Sequence, residues 1–251
     1  MAQRRMSPAK KSSFLSSLSV QEKFAKTREE MNRALIEREE EIDLVLTAMI
    51  SQDNPLLVGP PGTAKSLLSD TIVGWLGGGK AFSHLMTRYT FPEEIFGPFS
   101  IRKMKEDQFV RVTTCRLPEA EVAFLDEIFK ASSAILNTCL KIFNERIYEK
   151  GDGSFVKCPL LICISASNEW PAEQEELGAL FDRFLYRRTV KPISDDPESQ
   201  RRLMFGDTTP CLSTSITAEE IRQAGAEAGQ IEFKEAEIDL CFAILKKRKE
   251  E

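Results

Sequence analysis

The sequence predicts an α/β fold: a three-layer αβα arrangement around a mostly parallel, five-stranded sheet, with two β-hairpin inserts and two helices closing the chain. Three observations carry this expectation. Short apolar runs alternate with stretches of helical periodicity, the order that buries parallel strands beneath helices. Leu56-Leu57-Val58 runs straight into a glycine-rich turn and then a helical stripe, a strand–turn–helix unit. A further apolar run, Val122 to Leu125, ends in two adjacent acids.

Taken in order, Val20–Leu35 places Phe24, Met31 and Leu35 at helical spacing among charges and reads as an exposed helix. Glu39–Ile50 carries a clearer stripe of Ile42, Val45, Leu46, Met49 and Ile50, stopped by Asp53-Asn54-Pro55. The first strand follows at Leu56–Val58. After it, Leu67, Leu68, Thr71, Ile72, Trp75 and Leu76 form a helix that ends at Gly77-Gly78-Gly79. Ala81–Thr87 reads as the second strand. Phe99–Met104 and Gln108–Thr114 alternate weakly around Lys105-Glu106-Asp107, as a hairpin does. Glu121–Leu125 is a buried strand and Ser132–Arg146 a helix. Ile147–Pro159 is a second hairpin that turns at Gly151-Asp152-Gly153. Leu160–Ser165 is a strand covered on both faces, Ala172–Phe181 a helix, and Phe184–Val190 the last strand. Pro192–Pro210 reads as a polar connection, and Ala218–Ala228 and Phe233–Lys247 as the closing helices.

The expected division is a flexible tail over 1–19, one α/β domain over 20–192, a linker over 193–210 and a closing unit over 211–251. The 251 residues are 42% apolar and 29% charged, as in an ordinary soluble globular protein. A net charge of −5 gives no reason to expect general nucleic-acid binding. No apolar run approaches the ~18–20 residues of a membrane span. The basic, serine-rich start, with Arg4, Arg5, Lys10 and Lys11, reads as a tail, with an organelle targeting segment as the alternative. The six cysteines form no CxxC pair, and reduced thiols in a cytoplasmic protein are expected. The single histidine, His84, reads as a packed strand residue. The charged run Glu37–Glu41 reads as a solvated face.

Gly59-Pro60-Pro61-Gly62-Thr63-Ala64-Lys65-Ser66 is a phosphate-binding loop. Glycines let backbone N–H groups curl around phosphate oxygens, and the helix that follows aims its positive end at the same anion. Lys65 would reach the β- and γ-phosphates of ATP, and the Ser66 hydroxyl would ligate Mg2+. Where the strict pattern has glycine, this chain has Ala64. Alanine is tolerated if the helix has already begun there. Asp126, 61 residues after Lys65, would hold the Mg2+, and Glu127 would polarise the attacking water. Ser165-Ala166-Ser167-Asn168 closes the next strand, and Asn168 is either a γ-phosphate contact or a turn former. Arg183 in Leu180-Phe181-Asp182-Arg183-Phe184 is either a rim arginine serving a neighbouring site or, as its setting favours, one half of a surface ion pair.

Together these residues resemble an AAA+ ATPase of the MoxR family, in its RavA-like branch. The resemblance runs from about Val20 to the end. It also rests on Leu85-Met86-Thr87-Arg88-Tyr89, Pro92-Glu93-Glu94-Ile95-Phe96-Gly97-Pro98, Ile128-Phe129-Lys130-Ala131 and Asn144-Glu145-Arg146. It implies a nucleotide site lined by Gly59 through Leu67 with Asp126, Asn168 as the sensor-1 residue, and Arg183 as an arginine finger acting in trans. The hairpins resemble inserts that line a ring's central channel, and Leu35-Ile36 lies where the family contacts adenine. It further implies a hexameric ring, a partner with a von Willebrand factor A (VWA) domain, and chaperone-like remodelling that serves complex maturation or metal insertion. The closing helices become a helical lid that is cut short, with no residue placed for the sensor-2 arginine. ATP binding with weaker hydrolysis is expected on that account. The alternative is a nucleotide-gated interaction module with negligible turnover. A small-molecule P-loop kinase would need an acceptor pocket and an arginine-rich lid, neither of which is evident. Magnesium-chelatase subunits and transcriptional activators share the nucleotide motifs, but the Pro92–Pro98 segment favours MoxR.

Overall fold

The computed structural model describes residues 18–170 and 184–250; of residues 244, 245 and 247–250 it describes the backbone only. The expected helix Ala172–Phe181, residue Arg183 and nearly all of the 1–19 tail lie outside the described residues.

Five strands, β1 (Leu56–Val58), β2 (Ala81–Leu85), β3 (Val122–Asp126), β6 (Ile162–Ser167) and β7 (Arg187–Thr189), form one sheet in the order β2-β3-β6-β1-β7. Every neighbouring pair is parallel, with Leu57 opposite Ala166 on one side and Arg188 on the other. A parallel sheet is stable only when both faces are covered, and the alternation of side chains divides the work. Leu56, Val58, Ala123 and Leu125 pack with Ile135, Leu136, Cys139, Ile142 and Phe143 of the helix α6 (Ser133–Glu145). Leu57, Val122, Phe124 and Ile164 face the other way, onto α1 (Val20–Ala34), α2 (Glu39–Ser51) and α3 (Lys65–Trp75).

The helices end where their termini direct. Ser19 and Glu22 form a reciprocal capping box at the start of α1. Gln52 closes α2, and Arg146 closes α6, each in the left-handed conformation. The chain then adds α7 (Pro197–Phe205), α8 (Ala218–Ala228) and α9 (Glu235–Glu250). A seam joins this last part to the sheet domain. Thr214 Oγ1 lies 2.7 Å from Thr27 Oγ1 and accepts from Trp75 Nε1 at 3.1 Å, while Ile216 bridges Leu76.

Several expectations are corrected. The first insert pairs as expected across Phe99 and Arg111, but it is closed by a helical turn rather than continuing as strands. Ser100 caps that turn, labelled α5 (Ile101–Met104), which follows the short α4 (Pro92–Phe96). The second insert is the expected hairpin of β4 (Ile147–Glu149) and β5 (Phe155–Lys157). The two inserts meet: Arg111 N–H donates to Lys150 O at 3.1 Å, and a Cβ at Gly151 would lie 2.6 Å from Phe109 O. The polar connection holds α7, started by an Asp196 cap and by Pro197 in its first turn. The run Glu37–Glu41 is a solvated face only in part: Glu39 and Glu40 are exposed, but Arg38 and Glu41 are buried. Leu67 leaves its stripe and is exposed. Among the described residues no helix is long and apolar enough to cross a membrane.

Candidate functional site

The residues singled out in the loop and at the strand ends meet at the carboxyl ends of β1, β3 and β6, where open α/β sheets bind ligands. Gly59 leaves β1 buried, and its N–H donates to Ser167 O at 3.0 Å. Only glycine fits there, since an added Cβ would sit 2.2 Å from Val190 O. Pro60 and Pro61 form the exposed outer wall, and Gly62 turns the chain at φ +79° with open space beside it. Thr63 is buried and its hydroxyl donates to Pro60 O at 2.9 Å.

Ala64 departs from expectation. The helix has not begun there: the residue is the N-cap of α3 in the left-handed region, φ 64° and ψ 19°. Left-handed backbone costs an L-residue roughly 1–2 kcal/mol, so the loop conformation wins over alanine's local preference.

Lys65 is buried, with Nζ donating to Gly59 O at 2.6 Å, Pro60 O at 2.9 Å and Asn168 Oδ1 at 3.3 Å. Burial lowers its pKa, and the charges of Asp126 and Glu127 oppose that shift. Ser66 is exposed at the first turn of α3, and Asp126 is half-buried at the end of β3. Glu127 is buried in the left-handed conformation, φ 53°. Its N–H donates to Asp126 Oδ1 at 2.9 Å. Its carboxylate accepts from the Asn168 side-chain amide, from the Asn168 N–H at 3.3 Å, and from Lys130 Nζ at 3.3 Å. A continuous polar chain therefore runs Lys65–Asn168–Glu127–Lys130. Arg183 lies outside the described residues.

Two residues here escaped the sequence reading. Lys130 is brought back to Glu127 by the 3-10 turn Ile128–Lys130. Arg38 donates from Nε to Thr63 O at 3.1 Å and from Nη2 to Lys191 O at 2.7 Å. Beside it, Glu37 accepts from Ser194 N–H at 2.8 Å and from the Ser194 hydroxyl, and these bonds pull its carboxyl down to about 2. Leu35 and Ile36 are buried at the end of α1.

The site suits a polyphosphate. It offers a glycine turn with open space at Gly62, the N–H groups that any helix start leaves without intrahelical partners, and a lysine. A Mg2+ ion would take Ser66 and Asp126 as protein donors and complete its shell with phosphate oxygens and water. Among the described residues no cluster of three His, Cys, Asp or Glu side chains offers an all-protein metal site.

A family model described as the MoxR domain in the MoxR–vWA–beta-propeller ternary systems matches residues 22–223. Two uncharacterized proteins of Methanocaldococcus jannaschii are each 42% identical over 216 residues, 86% of this chain, and cover 56% and 57% of their own lengths. The chain thus spans little more than half of these curated relatives. The Mycobacterium tuberculosis protein named chaperone MoxR1 is 27% identical over 188 residues, covering 72% of this chain and 48% of its own. Among solved structures, a Cytophaga hutchinsonii protein provisionally described as an ATPase superposes with a TM-score of 0.66. That match covers 90% of this chain and 67% of the other at 16% identity, which supports the fold alone.

Proposed function

Because this chain belongs to the MoxR family of AAA+ ATPases, we propose that it binds Mg-ATP at the Gly59–Ser66 loop and hydrolyses it to drive rearrangement of protein complexes. The observation that carries the reading is the polar chain from Lys65 through Asn168 to Glu127, at the strand ends where the loop opens. In this reading Lys65 grips the β- and γ-phosphates, Ser66 and Asp126 hold Mg2+, and Gly59 through Leu67 line the nucleotide. Asn168 senses the γ-phosphate, and its amide orients Glu127 to take a proton from the attacking water. The metal supplies charge neutralisation on the phosphate oxygens.

Arg183 would complete the site of the next subunit in a ring, which makes turnover depend on assembly. We place the chain in the RavA-like branch, on the Leu85–Tyr89 and Pro92–Pro98 segments. A VWA-domain protein is the partner proposed, alongside a β-propeller protein, in line with the description of the matching family.

The test is the ATPase rate per subunit as a function of protein concentration, for the wild type, Glu127→Gln and Arg183→Ala. A rate that rises with concentration and vanishes in both variants, with ATP still bound, is the expected outcome. A flat rate with an active Arg183→Ala protein would rule out the assembled site. Tight ATP binding with no turnover at any concentration would favour a nucleotide-gated interaction module instead.

A further inference from the structure

We propose that Arg38 is a positioning residue of the phosphate cradle, holding the Thr63–Ala64 peptide so that the Ala64 N–H is aimed at the bound phosphates. The inference rests on the nucleotide-binding reading of the loop.

Arg38 is 4% exposed. Among the described residues it donates to three backbone carbonyls: Thr63 O at 3.1 Å, Glu37 O at 2.5 Å and Lys191 O at 2.7 Å. Its charge meets no carboxylate in hydrogen-bond contact among the described residues, only the through-space pull of the Glu37 carboxylate, which makes it a costly way to tie loops together. A neutral amide could bridge two carbonyls at less cost. Arginine adds a rigid fork that fixes the direction of its acceptors, and a charge that stays on.

Direction is what the loop needs. In a trans peptide the C=O and the following N–H point opposite ways. Anchoring Thr63 O at Arg38 therefore commits the Ala64 N–H to the far side, into the bowl ahead of α3. The same peptide leads into Ala64 at φ 64°, a conformation that alanine resists. Arg38 holds the loop against that resistance. It is braced in turn by Lys191 O, in the strand exit whose Val190 O packs on Gly59.

Residue 64 separates an aiming role for Arg38 from a plain structural tie. If Arg38 acts through the 63–64 peptide, glycine at 64 should relieve the need for it, because glycine adopts positive φ without steric cost. Calorimetric titration with Mg-ATP and with magnesium tripolyphosphate would be run on the full chain for wild type, Arg38→Ala, Arg38→Lys, Ala64→Gly and the Arg38→Ala/Ala64→Gly pair. Arg38→Ala is expected to weaken both ligands about tenfold, the loss of one charge-assisted aiming contact. Equal loss for tripolyphosphate places the effect at the phosphates rather than at the base. Lysine, a single point donor, should not restore binding, whereas Ala64→Gly in the Arg38→Ala background should recover most of it.

Unchanged affinity in Arg38→Ala, or a double variant no tighter than Arg38→Ala, overturns the proposal. Should Arg38→Ala not fold, Arg38→Gln goes through the same comparison, with and without Ala64→Gly. A wild-type protein that binds neither ligand defeats the nucleotide reading itself and this proposal with it. Wild-type binding with an indifferent Arg38 variant defeats the proposal alone.

Discussion

Replacing Ala64 with glycine should stabilise the protein, the reverse of what alanine-to-glycine changes do in helices. At φ 64° and ψ 19°, Ala64 carries the left-handed penalty of roughly 1–2 kcal/mol. Glycine removes it but returns about 0.4–1 kcal/mol through the greater freedom of the unfolded chain. The difference spans about 0–1.6 kcal/mol and centres on a gain of about 0.8 kcal/mol, or a rise of about 2–3 °C in Tm for a domain of this size. Thermal and urea unfolding of Ala64→Gly measure it. Ala226→Gly, at an exposed position within α8, serves as the control and should lose about 0.5–1 kcal/mol. If the two variants fall by the same amount, Ala64 is helical and the left-handed loop is wrong.

Three more outcomes follow from the geometry. Gly59→Ala forces a Cβ to within 2.2 Å of a backbone oxygen, so its urea midpoint should reveal a loss of about 1–3 kcal/mol or more; a neutral result would mean that the β7 exit does not pack there. Thr214→Val strands Trp75 Nε1 and the Thr27 hydroxyl in the seam and should cost about 1–3 kcal/mol by the same assay, whereas a change near zero would mean that the seam opens readily to water. His84 is held below its ordinary 6.5 by burial, with Glu94 pulling the other way and Arg116 adding to the depression. Being the only histidine, it gives a single imidazole NMR titration, whose midpoint should lie under 6.5. Its contribution to stability is then complete above 6.5 and erodes as the pH falls through the folded value. A midpoint above 6.5 would mean that the Glu94 carboxylate dominates.

Much of the fold was legible because it is written in contiguous stretches. The buried strands, the glycine turn and the acids after Leu125 all announce themselves within a few residues, and the strand ends then gather them. What was not legible depends on partners that leave no side-chain signature. Arg38 bonds to backbone carbonyls of Thr63 and Lys191, which any residue could supply, so the surrounding glutamates made it look solvated. Ala64 adopts a conformation set by the loop around it, against its own helical preference. The helix Pro197–Phe205 did carry a signal, the Asp196-Pro197 start, but its polar composition masked it. In the first insert, weak alternation suggested strands, while Ser100 was a helix cap.

The contact at Gly151 has a consequence for inheritance. Because a side chain there would displace the carbonyl of Phe109, the two inserts cannot drift independently. A lineage that reshapes one must refit the other. Grafting a single insert from a relative should therefore bring a clash with it, whereas exchanging both together carries the fit along.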